Sequence, residues 1–265
     1  MSRIVSLFFL VAWLGMASSA RGAELPVFLE DMTWTEVRDA IAAGRTTVIV
    51  PVGGTEQSGP HMALGKHNVR ARVLAGRIAS ELGNAVVAPV VAYVPEGDVA
   101  GTSGHIRFAG TISVPPAAFE AVLEGAARSF RRAGFRDIVL IGDHGGYQSD
   151  LAAVAAKLDR EWAATKVRVH FIPEYYKSAT EPFAAALRQR GLSEAQIGTH
   201  AGSADTSLML AVDPRLVRAD RLAQPPAAAD GTYGDPRAST AALGQAGVDL
   251  IVAASVNAIR KAAVR

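Results

Sequence analysis

Short β-branched runs separated by helical stretches are the feature of this sequence that most constrains its fold. Residues 46–52, 85–94, 137–141 and 167–172 are rich in valine and isoleucine, and apolar residues recur at helical spacing between them. Strands that alternate with helices form a mostly parallel sheet covered by helices on both faces. We therefore predict one α/β domain over residues 24–265, folded as a three-layer αβα sandwich.

The helices can be placed approximately from apolar spacing and end signals. A capping-box pattern at Thr33 to Glu36 starts the first one, and Pro115-Pro116 starts the third. The predicted helices cover about 34–44, 69–83, 115–134, 148–162, 181–190, 203–212 and 238–261.

Composition excludes several classes of function. The 27 lysines and arginines nearly balance 25 aspartates and glutamates, and a net charge of +2 is too weak to indicate a nucleic-acid partner. The chain has no cysteine, which excludes a disulfide framework, a thiolate nucleophile and any cysteine-ligated zinc or iron–sulfur site.

Residues 1–23 have the features of a secretory signal peptide. Arg3 precedes an uncharged run over residues 4–17, and small residues then allow cleavage after Ala20 or after Ala23. The competing interpretation is an uncleaved anchor, but the apolar run is shorter than the roughly 18–20 residues that a spanning helix needs. We predict an exported, periplasmic protein that has no membrane association after cleavage.

Histidine placement carries the functional signal. Five of the six histidines lie in glycine-rich or strand-end segments, namely His61, His67, His105, His144 and His200. The sixth, His170, lies within a strand pattern and is predicted to be structural. Taken one at a time, each of the five could equally be a surface or hydrogen-bonded loop residue.

The predicted topology brings several of these residues together. Ligands of parallel sheets bind outside the carboxyl ends of strands, so the loops after the strands ending at Val52 and Ile141 should meet at one edge. Neutral imidazoles combined with carboxylates such as Glu56 and Asp205 suit zinc, manganese or iron. The sequence therefore predicts a metal centre at that edge.

Five segments, in order along the chain, resemble the creatininase family of metal-dependent amidohydrolases: 51–61, 104–113, 142–146, 200–207 and 234–238. The resemblance implies an αβα sandwich, often assembled as a hexamer. It also implies a divalent metal site that hydrolyses non-peptide or small amide C–N bonds. We expect a homo-oligomer such as a hexamer. We also expect a small-molecule amide substrate, whose identity the sequence does not give.

The resemblance assigns roles to single residues. Glu56 and His144 match metal ligands of the family, and His200 matches its acid/base histidine. Ser58 stands where the family has a ligand histidine, and His67 stands where it has an aspartate that bridges two metals. Three further departures are Asp205 in place of a glutamate, Ser203 in place of an acidic residue, and Tyr147 where an asparagine is common.

These departures predict a site with one metal. A carboxylate can bridge two cations, whereas a neutral imidazole offers one lone pair to one metal. We predict one zinc or manganese per chain, held by Glu56, His67, His144 and Asp205, with His200 as the catalytic acid/base. The residues expected around this centre or the substrate are Ser58, His61, His105, Asp143, Gly145 and Gly146, the last two through their backbone N–H groups. The alternative hypothesis is an inactive ligand-binding protein with a degraded metal site.

Overall fold

The structure is a computed structural model that describes residues 26–102 and 104–263. The predicted signal peptide and both of its cleavage sites lie outside the described residues. Within those ranges, four parallel strands form one sheet in the order β2-β1-β3-β4: β1 (Thr47–Val52), β2 (Ala85–Val87), β3 (Asp137–Gly142) and β4 (Arg168–Phe171).

Helices cover both faces of this sheet, as predicted. They are α1 (Trp34–Ala42), α2 (Lys66–Leu82), α3 (Pro116–Ala133), α4 (Gln148–Glu161), α5 (Glu174–Gln189), α6 (Glu194–Ile197), α7 (Ser203–Val212), α8 (Ala219–Leu222) and α9 (Ala241–Ala263). The prediction of a three-layer αβα sandwich is confirmed.

Each strand buries both of its faces, because one set of helices packs on each side. Ile49 and Val139 face the layer built from α2, α5, α7 and α9. Val48 and Ile138, their neighbours in sequence, face the layer of α1, α3 and α4. Alternate residues of a strand point to opposite faces, so the strands need continuous apolar runs.

Three element boundaries differ from the prediction. The second helix begins at Lys66 and not near Val69, because its N-cap is Gly65, which supplies no side-chain signal. The second strand ends at Val87, well short of Val94, because the proline-containing segment that follows leaves the regular ladder. Helix α5 begins at Glu174 and not at 181, because Pro182, which is typical of a helix's first turn, lies in the interior of this helix.

The helix α9 is long and apolar enough to cross a membrane by length and composition. One face of it, including Val248, Ile251 and Val252, packs into the core beside the sheet. Gly244 permits a very close approach to α7, since a Cβ there would lie 1.8 Å from the Ser207 carbonyl oxygen. Its apolar composition is therefore accounted for by core packing.

The strand order fixes where a ligand can bind. The connection from β1 leads to β2 on one side, whereas β3 and β4 lie on the other side. The carboxyl ends of β1 and β3 therefore flank the point at which the strand order reverses, which is where open α/β sheets hold ligands. Glu56 follows β1 and His144 follows β3, as the sequence predicted.

Candidate metal centre

Glu56 lies at the centre of a group of potential metal ligands. Its side chain is completely buried, and its Oε2 atom lies 3.6 Å from His105 Nε2 and 3.6 Å from His144 Nε2. Potential ligand atoms of these three residues lie within 4.8 Å of one another. Among the described residues, Oε2 has no hydrogen-bond partner. A buried carboxylate oxygen needs a compensating partner, and a divalent cation between this oxygen and the two imidazoles would provide it.

Tyr147 joins the two loops that carry this group. Its buried hydroxyl donates to the carbonyl oxygens of Val52 and Gly53, at 2.9 and 2.5 Å, and accepts from the backbone N–H groups of Asp143 and His144. The loop after β3 is thereby tied to the end of β1. The tyrosine that distinguishes this chain from the family pattern thus has a structural role beside the ligands.

His67 is engaged at both ring nitrogens. Nε2 lies 2.8 Å from Glu56 Oε1, and Nδ1 lies 2.5 Å from Asp143 Oδ1. Only a doubly protonated ring can donate to both carboxylates, and such a ring has no lone pair for a metal. The geometry therefore disfavours His67 as a ligand and makes it a hydrogen-bond bridge between Glu56 and Asp143.

Asp205, also predicted as a ligand, is engaged by two cations of the chain. Lys66 Nζ lies 2.5 Å from its Oδ2 atom, and Arg70 donates to its Oδ1 atom at 2.8 Å. Burial alone raises the pKa of Asp205, but the charges of Lys66 and Arg70 outweigh that effect and hold it well below its ordinary value. Asp205 is thus an ionised partner of side-chain cations and is disfavoured as a metal ligand.

Asp143 completes this buried network. It accepts from Arg70 Nε at 2.9 Å and from the hydroxyl of Tyr175 at 2.7 Å, besides its contact with His67. Burial raises the pKa of Asp143, but Arg70 and His67 more than offset it and lower that pKa. Lys66 and Arg70 thus lie beside Asp205, Arg70 also pairs with Asp143, and the His67 ring bridges Asp143 and Glu56.

Glu56 is ionised in this setting. Its burial raises the pKa, but the hydrogen bond from His67 and the charges of Lys66 and His67 hold the pKa below its ordinary value. Burial lowers the pKa of His144 to about 3, so this imidazole is neutral at pH 7 and has a lone pair to offer a metal. The group therefore combines the anionic oxygen of Glu56 with a neutral nitrogen donor on His144.

His200 faces the same centre from the segment before α7. Its Nε2 lies 2.9 Å from the carbonyl oxygen of Gln57, which can only accept, and 3.2 Å from the side-chain nitrogen of Gln57. The shorter contact favours a proton on Nε2. The lone pair on Nδ1 then lies 3.7 Å from Glu56 Oε1. Burial, followed by the charge of Lys66, lowers the pKa of His200 to about 4, so the imidazole is neutral at pH 7 and Nδ1 keeps its lone pair.

The backbone beside His200 is held in an uncommon conformation. Ala201 is fully buried and has a φ of 55°, in the left-handed region that residues with a Cβ rarely occupy. Its N–H points to Asp205 Oδ2 at 3.2 Å, and the backbone of His200 pairs with that of Tyr233. These contacts fix the direction of the His200 side chain, as is frequent for strained residues at functional sites.

Glu96 lies behind His144 and was not among the predicted site residues. This glutamate is buried, and its Oε2 atom lies 3.4 Å from His144 Nδ1. Burial, followed by the charge of Glu56, raises the pKa of Glu96 to about 9. A lone glutamate between Pro95 and Gly97 resembles an exposed turn residue, so no sequence pattern marks it.

The other predicted residues take several positions. His61 is buried and shares a hydrogen bond with Thr206, and burial lowers its pKa. Ser58 is buried, and its hydroxyl has no partner in the part of the chain that the structure describes. Gly145 and Gly146 border the ligand group, but the N–H of Gly146 points to His144 Nδ1 at 3.2 Å. His170 bonds Asp137 on the neighbouring strand.

A pocket of about 530 Å³ opens onto this centre. Its polar end includes Lys66, His105, His144 and His200. The opposite wall is formed by small and apolar side chains of α5 to α7: Ala179, Ala184, Ile197, Ala204 and Leu208. The size and mixed lining suit a small molecule that presents a polar group to the histidines.

Most of the chain is similar to known proteins of one family. Residues 30–259 match the creatininase family, described as creatinine amidohydrolase. The chain belongs to the creatininase family. Creatinine amidohydrolase of Pseudomonas putida is 29% identical over 214 residues, which are 78% of this chain and 80% of that protein. Mycofactocin precursor peptide peptidase of Mycolicibacterium smegmatis is 34% identical over 185 residues, 66% of this chain and 61% of that protein.

Solved creatininase structures share the fold. A mutant creatininase superposes with a TM-score of 0.74 at 26% identity, covering 91% of this chain and 100% of that chain. A manganese form and a mutant described as Zn–Zn type each have a TM-score of 0.72 at 27% identity, and each is covered to 98%. Creatininases thus occur with either metal, which agrees with the carboxylate and imidazole groups assembled around Glu56.

Proposed function

We propose that this creatininase-family protein is a metal-dependent hydrolase of a small amide, with its metal held by Glu56, His105 and His144. The observation that carries the proposal is the buried Oε2 atom of Glu56. It lies 3.6 Å from one nitrogen of each histidine and has no hydrogen-bond partner among the described residues. One carboxylate and two imidazoles are a ligand set of catalytic zinc sites that keep an open position.

We further propose that each chain holds one metal, zinc or manganese. Both oxygens of Asp205 face Lys66 or Arg70, and both ring nitrogens of His67 face carboxylates. The carboxylates of Asp143 and Asp205 are therefore already paired with side chains of the protein. A second divalent cation would have to displace Lys66 or Arg70, at a cost in buried charge repulsion.

The residues around the centre suit amide hydrolysis. When bound, the metal would supply Lewis acidity toward the amide carbonyl and lower the pKa of water. His200 accepts a proton at Nδ1 and returns it to the leaving nitrogen, while its Nε2–H remains hydrogen-bonded to the Gln57 carbonyl oxygen. The apolar wall near Leu208 and Ala184 binds the remainder of the substrate and excludes water.

The proposal is tested by hydrolysis assays on protein stripped with a chelator and reloaded with zinc or manganese. We expect the reloaded protein to open or cleave members of a panel of small cyclic and linear amides, with amine release detected by mass spectrometry. Glu56→Gln should be inactive, whereas Glu161→Gln, in a surface pair with Arg128, should match the wild type. Tight metal binding without turnover of any panel member would favour a ligand-binding role instead.

Export to the periplasm and assembly into a homo-oligomer such as a hexamer are further proposals. The composition of residues 1–23 supports export. The oligomers that creatininases often form support assembly.

A further inference from the structure

A second glutamate contacts the proposed metal centre from its outer side. Glu96 follows β2, and the backbone places it firmly: its N–H donates to Ser113 Oγ at 3.0 Å, and Ser113 Oγ donates to the Gly97 carbonyl at 2.6 Å. The Glu96 side chain has no solvent exposure. In the described ranges neither carboxyl oxygen has a partner at ordinary hydrogen-bond geometry, and the neighbouring polar groups are His144 Nδ1 and the carboxyl group of Glu56.

The loop after β1 makes room for this buried carboxyl group. Gly54 has a φ of 150°, and a Cβ at this position would lie 2.7 Å from Glu96 Oε1. A side chain at 54 would therefore have to displace the Glu96 carboxyl group from its observed position. The same loop carries Glu56, so the space for the second glutamate is built into the segment that carries a proposed ligand.

His144 lies between the two glutamates. Its Nε2 is 3.6 Å from Glu56 Oε2, and its Nδ1 is 3.4 Å from Glu96 Oε2. A neutral imidazole carries one proton, so Nε2 can bind a metal only when the proton is on Nδ1. The N–H of Gly146 also points to Nδ1, at 3.2 Å, and favours the opposite tautomer. A hydrogen bond from the Nδ1–H of His144 to Glu96 Oε2 would reverse that preference and leave the lone pair on Nε2.

We propose that Glu96 is a positioning residue, whose Oε2 accepts the Nδ1 proton of His144 and so directs the Nε2 lone pair toward Glu56. This inference rests on the proposed metal site at Glu56, His105 and His144. A carboxyl group keeps an acceptor oxygen whether or not it is protonated, so the role needs no particular charge on Glu96. Partners of this kind fix the orientation and basicity of ligand histidines.

The test compares Glu96→Met, which keeps length but removes the acceptor, with Glu96→Gln, which keeps an oxygen. In metal-free protein labelled with ¹⁵N-histidine, only six imidazoles contribute, and His144→Gln assigns the signal. We expect His144 to carry its proton on Nδ1 in the wild type and on Nε2 in Glu96→Met. Zinc affinity, measured by competition with a chelator, should fall about 10- to 100-fold in Glu96→Met and less in Glu96→Gln.

Thermal unfolding separates this role from a structural one. One hydrogen bond offsets the desolvation of this buried carboxyl only in part, so replacing it with an apolar side chain should not lower the Tm of metal-free Glu96→Met, although the zinc affinity falls. A Glu96→Met protein with the wild-type tautomer or with undiminished zinc affinity would overturn the proposal. If wild-type protein binds no zinc, the proposed function fails. The comparison of His144 tautomers in the wild type and Glu96→Met still decides whether Glu96 sets the position of the His144 proton.

Discussion

His200→Gln is expected to lower kcat/KM for amide hydrolysis by about 10²- to 10⁴-fold, the range that a general acid–base group contributes. The variant loses the proton acceptor at Nδ1, which lies 3.7 Å from Glu56 Oε1 and faces the pocket. His200 lies outside the group of Glu56, His105 and His144, so we expect metal content to stay unchanged. Steady-state kinetics and elemental analysis on the same preparation measure both quantities.

His170→Gln is the matched control, because it removes an imidazole that bonds Asp137 on the sheet, away from the pocket. We expect this variant to keep wild-type kcat/KM. Equal losses of kcat/KM in both variants would indicate that general destabilisation causes the effect. A His200→Gln enzyme within three-fold of wild type would contradict the role of His200 as proton carrier.

Arg70→Met is expected to lower the free energy of unfolding by about 3–5 kcal/mol, the cost of leaving buried charges without their partner. Arg70 is almost fully buried and pairs with both Asp143 and Asp205. Denaturant unfolding at pH 7 measures the loss. The exposed pair of Arg38 and Asp39 supplies the control, since Arg38→Met should change stability by less than about 1 kcal/mol.

The stability lost in Arg70→Met should depend on pH in a direction set by Asp143 and Asp205. The pKa values of Asp143 and Asp205 are lowered in the folded protein, so their stabilising effect is fully present above the unfolded carboxyl pKa of about 4. This stabilisation declines as the pH falls through the lowered pKa values of the two aspartates in the folded protein. The difference between wild type and Arg70→Met should therefore narrow in acid. A difference under about 1 kcal/mol at pH 7, or one that widens in acid, would contradict this account.

The fold was predictable because its signals are local. The β-branched run at 46–52 and the apolar spacing of α3 each identify an element within a few residues. The rule that ligands bind outside the carboxyl ends of parallel strands then placed Glu56 and His144 at one edge, and the strand order confirms it. Long-range information was not needed for either step.

The details of the site depend on contacts that no local pattern encodes. The start of α2 lacks a capping side chain, so His67 was predicted to be a metal ligand in the loop before the helix, whereas it lies on the helix between two carboxylates. The partners of Asp205 are Lys66 and Arg70, more than 130 residues earlier in the chain. His105, expected beside the substrate, lies 3.6 Å from Glu56 because of the path of a long loop.

Metal content tests the central claim most directly, measured by inductively coupled plasma mass spectrometry on protein without a histidine tag and reconstituted with zinc. We predict one metal per chain in the wild type. Folded His105→Ala should lose it, and folded Asp205→Asn should retain it, because Asp205 is occupied by Lys66 and Arg70. Two metals per chain, or loss in Asp205→Asn with retention in His105→Ala, would contradict the proposed ligand set.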